Sequence, residues 1–235
     1  MSIERRVGAL PWERIAQDLD ARGWSTSGPL LTAEERGELV SLYDDDEQFR
    51  SRVVMARHSY GRGEYKYFRY PLPAVVENLR QGLYKRLVPV ANDWREALGQ
   101  ADPFPTSYPE FLRRCHSAGQ TRPTPLLLRY GPGDYNCLHQ DLYGQWVFPI
   151  QAAFLLSDPG RDFTGGEFIL TEQRPRMQSR AEVVPLKAGE AVLFAVSQRP
   201  VQGTRGPYRV TMRHGVSTVR AGNRHTLGII FHDAA

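Results

Sequence analysis

The chain has 235 residues, enough for one well-packed domain and cramped for two. A hydrophobic share of 41% is that of a globular core, and no run nears the roughly 18 consecutive apolar residues of a membrane span, so no membrane partner is expected. The net charge is only +4, yet its distribution along the chain is uneven.

The opening run, Met1-Ser2-Ile3-Glu4-Arg5-Arg6, lacks the apolar stretch of a secretory signal. Cys115 and Cys137 make neither a CxxC nor a disulfide framework, so a reduced cytoplasmic setting without a disulfide partner is expected. Helical spacing of Trp12, Ile15 and Leu19 predicts a helix over residues 10–22, with Pro11 near its start and Gly23 ending it. Thr32-Ala33-Glu34-Glu35 is a capping box for a helix carrying Leu39, Leu42 and Tyr43 inward.

Residues 52–58 and 65–70 are predicted to pair as a hairpin across the turn 59–64. Its second strand alternates aromatic and basic residues. Tyr65, Tyr67 and Arg69 suit the stacking of bases and the tracking of phosphates, and His58 would point into a substrate mouth. The plainer reading of the same pattern is an amphipathic hairpin with its tyrosines against the core. Residues 73–98 read as one or two helices broken at Pro89, and residues 108–117 as another.

Leu126 to Tyr130 is a buried-strand pattern, followed by a Gly/Pro turn and the pair His139-Gln140-Asp141. In extended backbone the imidazole and the carboxylate project to one face, within reach of a single metal ion. Further strands are predicted over 145–156, 167–170, 182–186, 191–196, 209–219 and 224–232, with a plain loop or substrate rim at 197–207. Short strands with Gly/Pro turns favour a barrel or sandwich over a parallel sheet. His214 lies in the middle of one of these strands, and Arg224 follows ten residues later across a tight turn. His139, Asp141 and His214 would form a two-histidine, one-carboxylate set. Arg224, helped by Thr226 on the same strand face, suits one end of a dicarboxylate. Cys137, which shares the His139 face, is expected to be a small buried residue.

Those motifs together resemble the Fe(II)/2-oxoglutarate dioxygenases over about residues 124–233. The stretch Asp162-Phe163-Thr164-Gly165-Gly166-Glu167-Phe168 resembles a strand start of prolyl-hydroxylase-type members, as does the step from His214 to Arg224. Arg129-Tyr130-Gly131-Pro132-Gly133 before His139-Gln140-Asp141 resembles the AlkB nucleic-acid dealkylases, although Leu128 stands where their pattern has an asparagine. As a whole the chain looks most like a bacterial oxygenase family acting on nucleic acids (Oxygenase-NA). The resemblance implies a mainly β fold with α-helices, a double-stranded β-helix of jelly-roll or cupin type, backed by N-terminal helices. It would form one dioxygenase domain over 1–235, with 1–123 as the helical and hairpin part.

The implied cofactors are Fe(II), 2-oxoglutarate as co-substrate and O2, with His139, Asp141 and His214 both catalytic and metal-binding. Arg224, Thr226 and Tyr130 would bind 2-oxoglutarate. The implied reaction is oxidative demethylation of alkylated bases, as in DNA repair. A protein side-chain or small-molecule hydroxylase is one alternative; a non-catalytic metal- or organic-acid-binding β-barrel is another. Between residues 191 and 232 there is no acidic residue, yet Arg199, Arg205, Arg209, Arg213, Arg220 and Arg224 all fall there. Such a field attracts anions, nucleic acid among them. Arg213, beside His214, is a further substrate candidate.

Overall fold

Alternation of side chains along antiparallel strands gives one sheet a face for helices and a face for a cavity. The computed structural model describes residues 1–235. Its larger sheet runs, in spatial order, Trp24–Pro29, Glu190–Ala195, Ile150–Leu155, Arg224–Ile229, Leu126–Tyr130, Glu64–Phe68 and Phe49–Val54. The smaller sheet runs Arg180–Val184, Phe168–Gln173, Gly206–Val216, Tyr135–His139 and Gly61–Arg62, with Gln198–Gly203 paired to the outer half of Gly206–Val216. The chain passes repeatedly from one sheet to the other, which is the expected jelly-roll, mainly β with α-helices.

In Arg224–Ile229, Arg224, Thr226 and Gly228 face the space between the sheets, while Leu227 and Ile229 join the core beneath the helices. Leu126, Leu128 and Tyr130 likewise face inward, and Leu127 turns outward. The backing helix, Ala74–Ala97, buries Val76, Leu79, Leu83, Leu87, Ala91 and Trp94. It runs unbroken through Pro89, correcting the expected break. A proline in a helix interior costs about 3 kcal/mol. Each large apolar side chain buried on either side of it contributes about 1.5–3 kcal/mol, so packing wins. No helix is long and apolar enough to cross a membrane.

The two local stop and start signals are present. Gly23, at φ 81°, closes the helix Trp12–Arg22 with its N–H on the Leu19 carbonyl. Thr32 and Glu35 make both arms of the capping box. Other boundaries move. The strand expected from 145 begins at Ile150, because the backbone of Trp146 is tied at both N–H and carbonyl to the Gln120 amide. The hairpin strand ends at Val54, and Met55–His58 is a 3-10 turn. The region expected as a loop at 197–207 is a β-hairpin, its register running from Gln198 opposite Thr211 to Gly203 opposite Gly206.

Candidate active site

His139 ends its strand directly opposite His214 on the neighbouring one. Cross-strand partners stand about 5 Å apart at Cα, and the two imidazole centroids are 4.1 Å apart. Asp141, two residues on, brings its carboxylate between them: Oδ1 lies 3.6 Å from His139 Nε2 and Oδ2 lies 3.4 Å from His214 Nε2. One ligand atom from each residue lies within 4.8 Å of the others, a spacing that one ion can bridge.

The donor chemistry fits a metal. His139 Nδ1 is 2.7 Å from the Cys137 carbonyl, so that nitrogen carries the proton and Nε2 keeps its lone pair for an ion. His214 Nδ1 is buried without a partner. Burial alone would raise the Asp141 carboxyl, but His214, His139 and the Tyr143 hydroxyl outweigh it and hold it well below the usual range. Burial, then the charge of His139, lowers His214 against the pull of Asp141, so the neutral, ligating form of the ring is favoured.

The cluster opens on a cavity of about 500 Å³ between the sheets. Across it stands Arg224, only 1% exposed. Its Nη1 donates to the Thr226 hydroxyl at 2.6 Å, its Nε has no partner, and no carboxylate pairs with it. Burial lowers its pKa to about 10, although Tyr130 and Glu167 oppose the shift. A guanidinium taken out of water without a counter-ion is costly, and the cost falls when an anion enters. Tyr130 is fully buried beside it, the guanidinium carbon lying 5.5 Å from its ring centroid. Burial pushes the phenol up to about 12, so it remains a donor. Gly166, at φ +62°, lets the backbone pass where a Cβ would come within 2.9 Å of Arg224 Cδ.

Several other expected site residues line this cavity. Tyr65 and Tyr67 point into it from one strand face, and His58 lies at its rim with its ring 5.3 Å from that of Tyr60. Arg69 and Arg213 are exposed and do not line it. Cys137 is exposed at the cavity rather than buried, because its strand meets only the short Gly61–Arg62 strand on the outer side.

The hairpin cations do not form a free basic stripe. Lys66 is buried, its ammonium on the Tyr43 carbonyl and Asp46, while Arg52 and Arg129 both pair with Glu64. The C-terminal arginines divide as well. Arg199 is fully buried against Glu172 and the carbonyls of Asp20 and Ala21, a structural role.

Three cavity residues escaped the sequence reading. Tyr143 donates to Asp141 at 2.8 Å and accepts from Tyr67 at 3.0 Å. Asn136 donates to the Tyr130 hydroxyl at 3.4 Å. Gln151 is a polar residue inside an otherwise apolar strand, and that break in pattern was the available signal.

Residues 63–234 match the model of the Oxygenase-NA family, described as an oxygenase catalysing oxidative methylation of damaged DNA. Two Mycobacterium tuberculosis proteins, each described only as uncharacterized, are 51% identical over 168 residues, covering 72% of this chain and 72% of each relative. Among solved structures, a Pseudomonas putida prolyl-4-hydroxylase superposes with a TM-score of 0.56 at 15% identity, over 92% of this chain and 96% of that one. The non-heme alpha ketoglutarate dependent epimerase SnoN from nogalamycin biosynthesis gives 0.54 at 15% identity, over 92% and 80%. At such identities the likeness is one of fold. With the family model spanning most of the chain on a shared oxygenase barrel, the chain belongs to the Oxygenase-NA family and is a 2-oxoglutarate- and Fe(II)-dependent oxygenase that uses O2.

Proposed function

We propose that this oxygenase removes alkyl groups from damaged bases in nucleic acid, with His139, Asp141 and His214 holding Fe(II) and Arg224 and Thr226 holding the far carboxylate of 2-oxoglutarate. The observation that carries the site assignment is the buried, unpaired Arg224 guanidinium in the same cavity as the three ligand atoms. A dianionic co-substrate supplies the charge that this guanidinium lacks. Tyr130 keeps its proton beside Arg224 and so donates to the same anion. When bound, the metal with 2-oxoglutarate and O2 supplies the oxidation of an unactivated C–H bond, and an N-methyl group so hydroxylated is lost as formaldehyde. Tyr143 holds the Asp141 carboxylate in place, and the apolar walls from Phe168, Phe194 and Leu128 keep bulk water out.

Support for a base as substrate comes from the flat rings at the mouth. Tyr65, Tyr60 and His58 offer stacking faces around an opening that leads to the metal cluster, while Tyr67 is buried with the Arg50 guanidinium over its ring. The family's description points the same way. A second reading, hydroxylation of a protein side chain, is favoured by the ten-residue step from His214 to Arg224 and by Gly165-Gly166-Glu167. Succinate formation separates the two. With Fe(II), 2-oxoglutarate and O2, a methylated oligonucleotide should stimulate it and a proline-rich peptide should not, and His139→Ala should abolish it. Stimulation by the peptide alone would overturn the nucleic-acid reading.

A further inference from the structure

Among the cations of the outer hairpin, Lys66 is held by Asp46 and Arg52 by Glu64, but Arg50 has no carboxylate partner. It stands on Phe49–Val54, the edge strand of the larger sheet, whose Val53 lines the cavity. Phe49 turns to the core beneath the helices, so Arg50 turns to the cavity side. There its guanidinium carbon lies 4.5 Å from the centroid of the Tyr67 ring. Its Nε donates to the Pro123 carbonyl at 2.8 Å and its Nη1 to the Ser51 hydroxyl at 3.4 Å, while Nη2 has no partner and is not enclosed. The residue before Pro123 is Arg122, exposed and without a side-chain partner, its backbone tied both ways to Ala234. Burial lowers the Arg50 pKa, the Tyr67 phenol opposes that, and the charge of Arg122 lowers it further. The two guanidiniums are close enough to repel. Asp233, whose charge also reaches Arg50, is fully buried and already held by Arg80 at 2.7 Å and His116 at 2.9 Å.

We propose that Arg50 and Arg122 together bind a backbone phosphate of the strand whose damaged base enters the cavity. This rests on the nucleic-acid reading above. Two like charges held near each other without a counter-ion are relieved by an anion, and the planar fork of a guanidinium matches a pair of phosphate oxygens. The position suits the backbone and not the co-substrate. Arg50 lies over Tyr67 at the border of the cavity, outside the space that Arg224 shares with the metal ligands. A base can enter between apolar walls, but its phosphates carry charge and stay at the rim, in reach of water. A phosphate held at that rim fixes how far the base travels inward, which is the part that backbone contacts play in nucleic-acid recognition.

The test is equilibrium binding, by fluorescence anisotropy over a series of KCl concentrations, of a labelled single-stranded oligonucleotide carrying one 3-methylcytosine. The full chain is loaded with Zn(II) and 2-oxoglutarate so that nothing turns over. The double variant Arg50→Gln, Arg122→Gln should bind about tenfold more weakly at low salt. Its slope of log affinity against log salt should be shallower by about 0.7, the worth of one phosphate on a single strand. Arg122→Gln alone, at an exposed position that the fold does not need, should move both readings the same way. A neutral methylphosphonate placed at each linkage in turn should weaken native binding about tenfold at one linkage beside the damaged base and leave the double variant unaffected there. A native slope in the double variant overturns the proposal. So does weaker binding by Arg50→Gln at every salt concentration with the slope unchanged, which would make Arg50 a prop for Tyr67. Displacement of the strand by inorganic phosphate at constant ionic strength, with no methylphosphonate effect, would assign the pair to a free anion and overturn the backbone role. In each of these cases a strand that still binds and stimulates succinate formation leaves the nucleic-acid reading standing. If no strand binds and none stimulates succinate formation by the iron enzyme, both fall together.

Discussion

The Tyr143 hydroxyl donates to Asp141 Oδ1 at 2.8 Å, the same oxygen that lies 3.6 Å from His139 Nε2. One carboxylate oxygen is thus steered by a phenol that is itself held by Tyr67. Burial, then the Asp141 charge, raises the Tyr143 phenol well above its ordinary value, so it stays a donor at any working pH. Outer partners of metal ligands are worth about 10–100-fold in metal affinity. Tyr143→Phe should therefore weaken Fe(II) binding by about tenfold while leaving the fold intact, as measured by anaerobic metal titration alongside circular dichroism. Unchanged affinity would remove Tyr143 from the metal cluster's support.

Arg224 carries an uncompensated buried charge, so its replacement separates binding from stability. Arg224→Met should raise the KM for 2-oxoglutarate by about 10–100-fold, the worth of a lost charge-assisted contact. Without co-substrate the variant should be at least as stable as the native chain, because a buried unpaired cation is replaced by an apolar side chain. The native protein gains about 2.7 kcal/mol at 2-oxoglutarate concentrations 100 times its Kd, and the variant should not. Thermal denaturation with and without 2-oxoglutarate reads both effects.

Gly166 reaches Arg224 through its backbone conformation. At φ +62° a side chain is strained, and a Cβ would stand 2.9 Å from both Arg224 Cδ and Val219 Cγ2. Gly166→Ala should cost about 1–3 kcal/mol of stability and raise the KM for 2-oxoglutarate together with it. A stable variant with native KM would show that the loop is free to shift.

His232 gives the fold an acid-sensitive point. It is fully buried, and burial, with Arg80 second, lowers its pKa to about 3 from 6.5. The unfolded chain takes up a proton near pH 6.5 that the folded chain refuses until about pH 3. Its contribution to stability is therefore complete above pH 6.5 and is lost as pH falls toward 3, at up to about 1.4 kcal/mol per pH unit. His232→Gln should flatten the acid limb of urea-denaturation stability measured between pH 7 and 4. An unchanged slope would assign the acid sensitivity to other groups.

Residues whose role is local were legible before any coordinates. Gly23, the Thr32–Glu35 capping box and the strand of Leu126–Tyr130 depend on neighbours one turn away, and the chain carries those neighbours in order. The basic–aromatic alternation over 65–70 does not show that Lys66 is buried, because nothing near it in sequence announces Asp46, 20 residues back, as its partner. Arg199 counted as part of a basic field until the fold brought Glu172 against it. Pro89 suggested a break that packing on both sides of the helix overrides.

The sequence by itself determined the residue types, the order of the motifs and the alternation that sends Arg224 and Thr226 to one face and Leu227 to the other, since strand periodicity is a property of the backbone. The tertiary structure alone decided the rest. Register set His139 opposite His214, the crossing of two sheets enclosed the cavity, and burial left Arg224 without a counter-ion and Gln151 Oε1 without a donor. Whether a charge or an amide is satisfied depends on groups far away along the chain, and only the folded arrangement brings them near or keeps them apart.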